Sequence, residues 1–317
     1  MCIRDRLYAV VPGPTGAHNW HPMAFNPDTG LVYIPVNEIP FFYDKTRNVE
    51  DSKSFWNIGY DAAAGWPVEY PAGTLDAVRD LDGGSLLAWD PVKAEPRWAV
   101  PFPLPLNGGV LSTQAGLVFQ GNKFGEFVAY DAETGERLWA DKLVGNAAAA
   151  PMTYEIDGEQ YLSVLSGWGS VSSLIAGFTY GEAKSKEPAR VITFKLGGDG
   201  DMPAALVDNV VRTPQSPMFG EPDQHQLGMQ RYAESCHFCH GAFAVGGGVV
   251  PDLRWSALAG NEQAWDLVVR EGALEKQGMV SFAGRLSKED TDAIRAYVVQ
   301  QAWLAVANGD ALPPQDG

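Results

Sequence analysis

The stretch Cys236-His237-Phe238-Cys239-His240, inside YAESCHFCHGAF, has the plainest chemistry in this 317-residue chain. Two thiols one helical turn apart, followed at once by an imidazole, spell C-x-x-C-H, the attachment site of a c-type haem. Cys236 and Cys239 would each close a thioether to a porphyrin vinyl group. His240 would then be carried beneath the iron as its proximal ligand. A bare C-x-x-C also suits a zinc site or a dithiol redox pair. Zinc asks for two more ligands, and the third cysteine, Cys2, is far away at the N-terminus. A redox pair asks for a βαβ setting that the flanks do not offer. The His directly after the second Cys decides for haem. His237, between the cysteines, reads as a surface residue, and Cys2 as an idle thiol.

Met279, in EKQGMVSFAGRLSKED, is the candidate sixth ligand. A thioether opposite an imidazole raises the iron's potential and suits it to passing electrons. Any one of the seven methionines could instead fill a gap in a core. The place of Met279, after a Gly and between the haem motif and a C-terminal helix, favours the ligand.

The elements that must hold these groups are helical. Gly228–Cys236 suits a short helix leading into the motif, and Glu262–Glu271 suits another. The last helix opens on the capping box Ser287-Lys288-Glu289-Asp290 and carries Ile294, Tyr297, Val298 and Ala302 on one face. An all-α cytochrome-like domain is therefore expected at residues 223–307, with a tail at 308–317.

Upstream the pattern changes. From about residue 7 to residue 196, short apolar runs are broken by Gly, Pro, Asn and Asp, which reads as many short strands. GSLLAWDPVKAEPRW (Gly84 to Trp98) matches GEFVAYDAETGERLW (Gly125 to Trp139) position for position, 41 residues later. GLVYIPVN at Gly30, GLVFQGN at Gly116 and DGEQYLSV around Gly158 form a second recurring set. A period near 40 with strand-turn-strand content is that of a β-propeller blade. The closing Trp of each repeat can wedge between blades, and Asp131 to Gly135 makes the tight turn before the last strand. Residues 43–80 break the beat as a long polar and aromatic excursion of the kind that shapes sites. Residues 197–222, rich in Gly, Pro and Asp, read as a linker after a β domain at 1–196.

The totals agree. The chain is 45% hydrophobic, with 35 Gly, 22 Pro and 10 Trp, which suits a turn-rich β protein. It has no apolar run long enough for a transmembrane helix. A net charge of −16 argues against nucleic acid and anionic membranes and favours a basic or neutral electron-transfer partner. The opening MCIRDRLYAV shows no export signal. Covalent haem c is attached on the outer side of the bacterial inner membrane, so a periplasmic protein is expected, with MCIRDR foreign to it and its true start missing.

In their order, GAHNWHPMAFNPDTGLVYIP, GEFVAYDAETGERLW, LSGWGS and a C-terminal C-x-x-C-H resemble the quinohaemoprotein alcohol dehydrogenases. The resemblance covers nearly all of residues 7–305. It implies an eight-bladed propeller holding pyrroloquinoline quinone (PQQ) beside a calcium ion, where alcohols are oxidised to aldehydes or ketones. Electrons then pass to haem c and on to a cytochrome, a cupredoxin or a membrane quinone protein. By the same resemblance Asn19 and Trp20 contact the quinone, and the backbone at Gly169, beside Trp168, approaches its carboxylates. On the residues alone, Asn19 is equally a turn residue and Trp20 a packing residue. His18 and His21 are not read as metal ligands.

This chain also departs from the family. The catalytic Asp, the calcium ligands and most quinone contacts of the family lie before the His-Asn-Trp-His motif. No catalytic residue is therefore assigned in this chain, and the calcium ligands are expected outside it. At about 40 residues per blade the β part holds three to four blades, so the fold expected is a partial propeller followed by an all-α cytochrome c domain. The chain alone is expected not to oxidise alcohol. Val280 stands where Pro often follows the axial Met. A hydroxylase or polymer-alcohol oxidase on the same scaffold, or an electron-transfer cytochrome docked on a β scaffold, stays open.

Overall fold

A computed structural model describes residues 8–43, 83–167, 188–204, 212–246 and 250–309. Strands β1 (Tyr8–Val10), β2 (Ala24–Asn26), β3 (Leu31–Glu38) and β4 (Phe41–Tyr43) come first. They are followed by β5 (Gly83–Asp90) and β6 (Glu95–Phe102), then by β7 (Val110–Ser112), β8 (Leu117–Gly121), β9 (Glu126–Asp131) and β10 (Arg137–Lys142). The strands end with β11 (Met152–Ile156), β12 (Glu159–Ser166) and β13 (Arg190–Lys195). Two antiparallel four-stranded sheets result, in the orders β2-β3-β5-β6 and β7-β8-β9-β10. Beside them are a three-stranded sheet β11-β12-β13 and a small β1-β4 pair. These are the meandering blades that the 41-residue repeat implies, two complete and a third with three described strands. The excursion expected at 43–80 lies, beyond Tyr43, outside the described residues. It interrupts the first blade without breaking it, because β3 pairs with β5 across it.

The alternation of each strand follows from what covers its faces. In β3 every second residue is buried, with Leu31 and Tyr33 facing the next sheet. β9 is buried on both faces and reads as a continuous apolar run. Its Val128 and Tyr130 meet Leu31, Leu86 and Ala88 of the first sheet, whereas Phe127 and Ala129 meet Val164 and Ile192 of the third. Each Val, Leu, Ile or Phe among them contributes roughly 1.5–3 kcal/mol when fully buried. Trp98 clamps the first sheet to the second. Its indole donates to the Ala132 carbonyl at 3.1 Å, beside the Tyr33 hydroxyl, which donates to the same carbonyl at 2.9 Å.

The C-terminal part is helical: α1 (Pro222–Ser235), α2 (His237–His240), α3 (Glu262–Val269) and α4 (Lys288–Ala307). Helix α1 starts within the stretch expected to be linker, because Pro222 occupies its first turn, where a missing N–H costs nothing. Helix α3 ends two residues short of the expected Glu271. The capping box at Ser287 forms as expected, with the Asp290 N–H donating to the Ser287 hydroxyl at 3.1 Å and the Asp290 carboxylate accepting from the Ser287 N–H at 2.8 Å. Helices α1 and α4 cross closely at Gly228, where an added Cβ would sit 2.0 Å from the Ala293 carbonyl oxygen. Tyr232 and Tyr297 pack next to the crossing, with ring centroids 5.4 Å apart. Arg231 ties the two helices by bonding Asp290 at 2.7 Å and the fully buried Glu234 at 2.8 Å. Among the described residues no helix is long and apolar enough to cross a membrane.

Candidate functional site

The C-x-x-C-H stretch sits on a break between two helices. Cys236 ends α1, its N–H donating to the Tyr232 carbonyl at 2.8 Å. The chain then re-enters a single helical turn, in which the N–H groups of Cys239 and His240 both donate to the Cys236 carbonyl, at 3.2 and 3.0 Å. Gly241, with φ +75°, stops that turn. Both thiols are free. Cys236 is buried, and burial pushes its thiol up to about 12, with the neighbouring Cys239 adding to the effect. Cys239 is exposed.

His240 is buried, and its Nδ1 meets the Pro251 carbonyl at 3.2 Å. A carbonyl can only accept, so the proton is on Nδ1 and the lone pair on Nε2. Burial lowers the imidazole's pKa, opposed by the Pro251 bond, and so favours the neutral form that ligates metal. Met279 follows Gly278, a left-handed residue at φ +94°, and its N–H donates to the Leu274 carbonyl at 3.1 Å. It is half-buried against the apolar cluster that contains Cys236, Tyr232 and Phe282. Val280 is exposed beside it. The fold therefore brings Cys236 and Met279 to one cluster, with His240 one turn from Cys236. Two thiols, an imidazole Nε2 and a thioether form a donor set that fits haem c.

His237 overturns its expected place on the surface. It is only 5% exposed, and its Nδ1 bonds the Ala233 carbonyl one helical turn back. Burial lowers its pKa to about 4. The break at Cys236 turns this ring inward. Pro251 was not among the expected site residues. It acts through its main chain, which no side-chain pattern reports.

At the propeller end, Asn19 and Trp20 lie in the turn before β2. The Asn19 amide donates to the Thr15 carbonyl at 2.8 Å, and its oxygen accepts from the Trp20 N–H at 2.8 Å. Trp20 is 57% exposed and stacks on His21, with centroids 4.0 Å apart. His18 meets the Pro35 carbonyl at 2.9 Å, and His21 is buried. Gly169 and Trp168 lie outside the described residues. The preceding Gly167 pairs with Asn146 at 2.8 and 2.9 Å.

Buried polar groups gather where β3 and β8 end and β7 begins. The Asn37 side chain accepts from the Leu106 N–H at 2.7 Å, Gln120 donates to the Gly108 carbonyl at 2.7 Å, and Asn107 accepts from the Lys123 N–H at 3.3 Å. Lys123 is buried as well, which lowers its ammonium to about 8. Sequence reasoning missed this cluster, because its members lie in separate strands and turns that only the folded sheets bring together.

Comparison with known proteins finds two family matches. Residues 71–162 match the PQQ family, "Glucose/ethanol/alcohol dehydrogenase, beta-propeller domain". Residues 223–298 match "Cytochrome C oxidase, cbb3-type, subunit III". Quinohemoprotein alcohol dehydrogenase ADH IIB of Pseudomonas putida is 41% identical over 295 residues, covering 92% of this chain and 41% of that protein. The solved structure of ADHIIG from Pseudomonas putida superposes with a TM-score of 0.81 at 35% identity, over 96% of this chain and 44% of the other. Over more than nine-tenths of its length the chain is similar to quinohaemoprotein alcohol dehydrogenases. It spans about two fifths of the length of the relatives it matches. A lupanine 17-hydroxylase [cytochrome c] from a Pseudomonas species is also similar, at 35% identity over 96% of this chain and 42% of that protein. In the family's terms, the first match runs over β5 to β11 and the second over α1 to α3 and most of α4.

Proposed function

We propose that this chain is the electron-output part of a periplasmic PQQ- and haem c-dependent alcohol dehydrogenase. The observation that carries this reading is the C-x-x-C-H turn, in which Pro251 occupies His240 Nδ1 and Met279 shares an apolar cluster with Cys236. Bound PQQ would accept the electrons of the alcohol, and haem c would pass them on singly. Cys236 and Cys239 would anchor the haem, and His240 and Met279 would hold its iron. Asn19, Trp20 and Gly169 would border the quinone, while the calcium ligands are expected outside these residues. Tyr232, Phe282 and their neighbours would exclude water from the haem, and Pro251 holds the proton on Nδ1 of His240. The net charge of −16 supports a basic or neutral redox acceptor such as a cytochrome or cupredoxin, with a membrane quinone protein as the other acceptor considered. The domain map that goes with this reading is propeller 1–196, linker 197–222, cytochrome c 223–307 and tail 308–317, which the two family matches support.

The test takes the full-length protein with PQQ and calcium, adds a primary alcohol, and follows haem reduction. Reduction that needs both alcohol and PQQ, by a haem that acid acetone does not extract, is the expected result. Extractable haem, or reduction indifferent to alcohol, overturns the reading. We infer further that the 317 residues alone do not turn over, since their relatives are more than twice as long; steady alcohol-dependent reduction by the chain alone would refute this. Likeness to a hydroxylase keeps a second chemistry in view, and the product, carbonyl or hydroxylated substrate, separates the two.

A further inference from the structure

Among the described residues, three packed indoles give their N–H to a main-chain carbonyl. Trp98 bonds Ala132 at 3.1 Å, Trp265 bonds Thr291 at 3.1 Å and Trp303 bonds Ser216 at 2.9 Å. The indole N–H of Trp255 is buried and meets no acceptor among the described residues. An indole can only donate, so a buried one without a partner carries the full cost of its lost hydration.

Its location limits what could accept. Trp255 closes the short turn Leu253–Trp255, which follows Pro251, the residue that orients His240. Leu253 of that turn packs on the cluster shared by Cys236 and Met279. The Arg254 guanidinium lies 4.9 Å over the Trp255 ring and is held there by Asp252, through bonds of 2.9 and 2.7 Å. The turn that carries the indole thus packs on this cluster through Leu253, and the indole has a cation on its face. A haem attached at Cys236 and Cys239 brings two carboxylates at its edge.

We propose that Trp255 is a haem-positioning residue whose indole N–H donates to a haem propionate. This rests on the haem reading above. The nearby Arg254 would favour the ionised carboxylate at that position.

The test uses the full-length, haem-loaded protein and Trp255→Phe, which keeps a ring beneath Arg254. Trp303→Phe, whose indole already has a carbonyl partner, serves as control. Resonance Raman propionate bending bands should shift in Trp255→Phe and stay in place in Trp303→Phe, with covalent haem retained in both. In the wild type, the Trp255 indole proton should be protected from solvent exchange and shifted by the oxidised iron. Bands unchanged in Trp255→Phe, or a wild-type indole proton that exchanges freely, overturn the proposal. The wild-type measurement decides the matter if the variant does not fold. A wild type without covalent haem would instead sink the haem reading itself.

Discussion

A histidine makes a better-oriented ligand when its second nitrogen is occupied, and for His240 that partner is a carbonyl, which mutation of a side chain cannot remove. Met279 has no such support beyond its turn and the apolar cluster. Met279→Ala should therefore keep the haem attached while losing the weak far-red sulfur-to-iron band. Its reduction potential should fall by on the order of 0.1–0.2 V, a fraction of the roughly 0.8 V that axial ligands span. Persistence of the band in the oxidised variant would move the sixth ligand elsewhere. The C-x-x-C-H turn was readable as letters in a row, because haem attachment needs fixed types at fixed spacing, whereas Met279 was a candidate only from its place between that motif and the last helix. Burial of His237 was not readable, since it depends on the break at Cys236. His21 is the second buried imidazole with a consequence. Burial, with Lys123 and then His18, lowers its pKa to about 4. An unfolded chain takes up a proton near pH 6.5 that the folded one refuses until about 4. Stability from this residue is thus full above about pH 6.5 and is lost as the pH falls toward 4. Urea midpoints at about pH 7.5 and about pH 5 should differ less in His21→Gln than in the wild type, and an equal difference would show that other groups set the acid limb.

The blade repeat shows how much turn chemistry reveals. Asp90 and Asp131 occupy the same place in successive blades. Each accepts two main-chain N–H groups at about the same distances, from Val92 and Lys93 (3.0 and 3.0 Å) and from Glu133 and Thr134 (3.0 and 2.9 Å). Strand pairing followed from that repetition, and so did the role of Trp98 between blades. The conformation two steps further on did not. Gly135 has φ +75° and lies so close to Trp98 that an added Cβ would be 2.7 Å from the ring, while its counterpart Ala94 has φ +55°. A non-Gly residue in this region costs about 1–2 kcal/mol. Gly135→Ala meets both that cost and an overpacking cost of about 1–3 kcal/mol, so a loss of about 2–5 kcal/mol is expected. Ala94→Gly relieves the backbone but frees the unfolded chain, so it should be neutral or stabilising by up to about 1 kcal/mol. Chemical denaturation of the two variants checks the pair. Equal destabilisation by both would mean that the two turns are not equivalent.

Stacked sheets cover one another's faces, and the sequence cannot announce which face is left over. The first two sheets share one core and the second and third share another. The far face of the third sheet has no such partner among the described residues. Cross-strand pairing puts Met152, Tyr154 and Ile156 of β11 on the same side as Leu165 and Val191. These five are exposed, Ile156 to 52% and Val191 to 66%. A Lys195–Glu159 ion pair edges them, so the patch is apolar with a charged border, the form that surfaces awaiting a partner take. Periodicity could not foresee this, because β11 reads like any strand with alternating apolar residues and only its neighbours determine its exposure. Left to itself the 317-residue chain should associate through this face as its concentration rises. Covering Ile156 and Val191 would stabilise such a contact by about 1 kcal/mol each. The double change Ile156→Thr and Val191→Thr keeps β-forming residues in both strands and should weaken association about tenfold or more. Sedimentation velocity over a concentration series reads the shift toward monomer, while an unchanged haem spectrum and circular dichroism show that the fold is intact. A variant that associates as strongly as the wild type would place the contact on another surface.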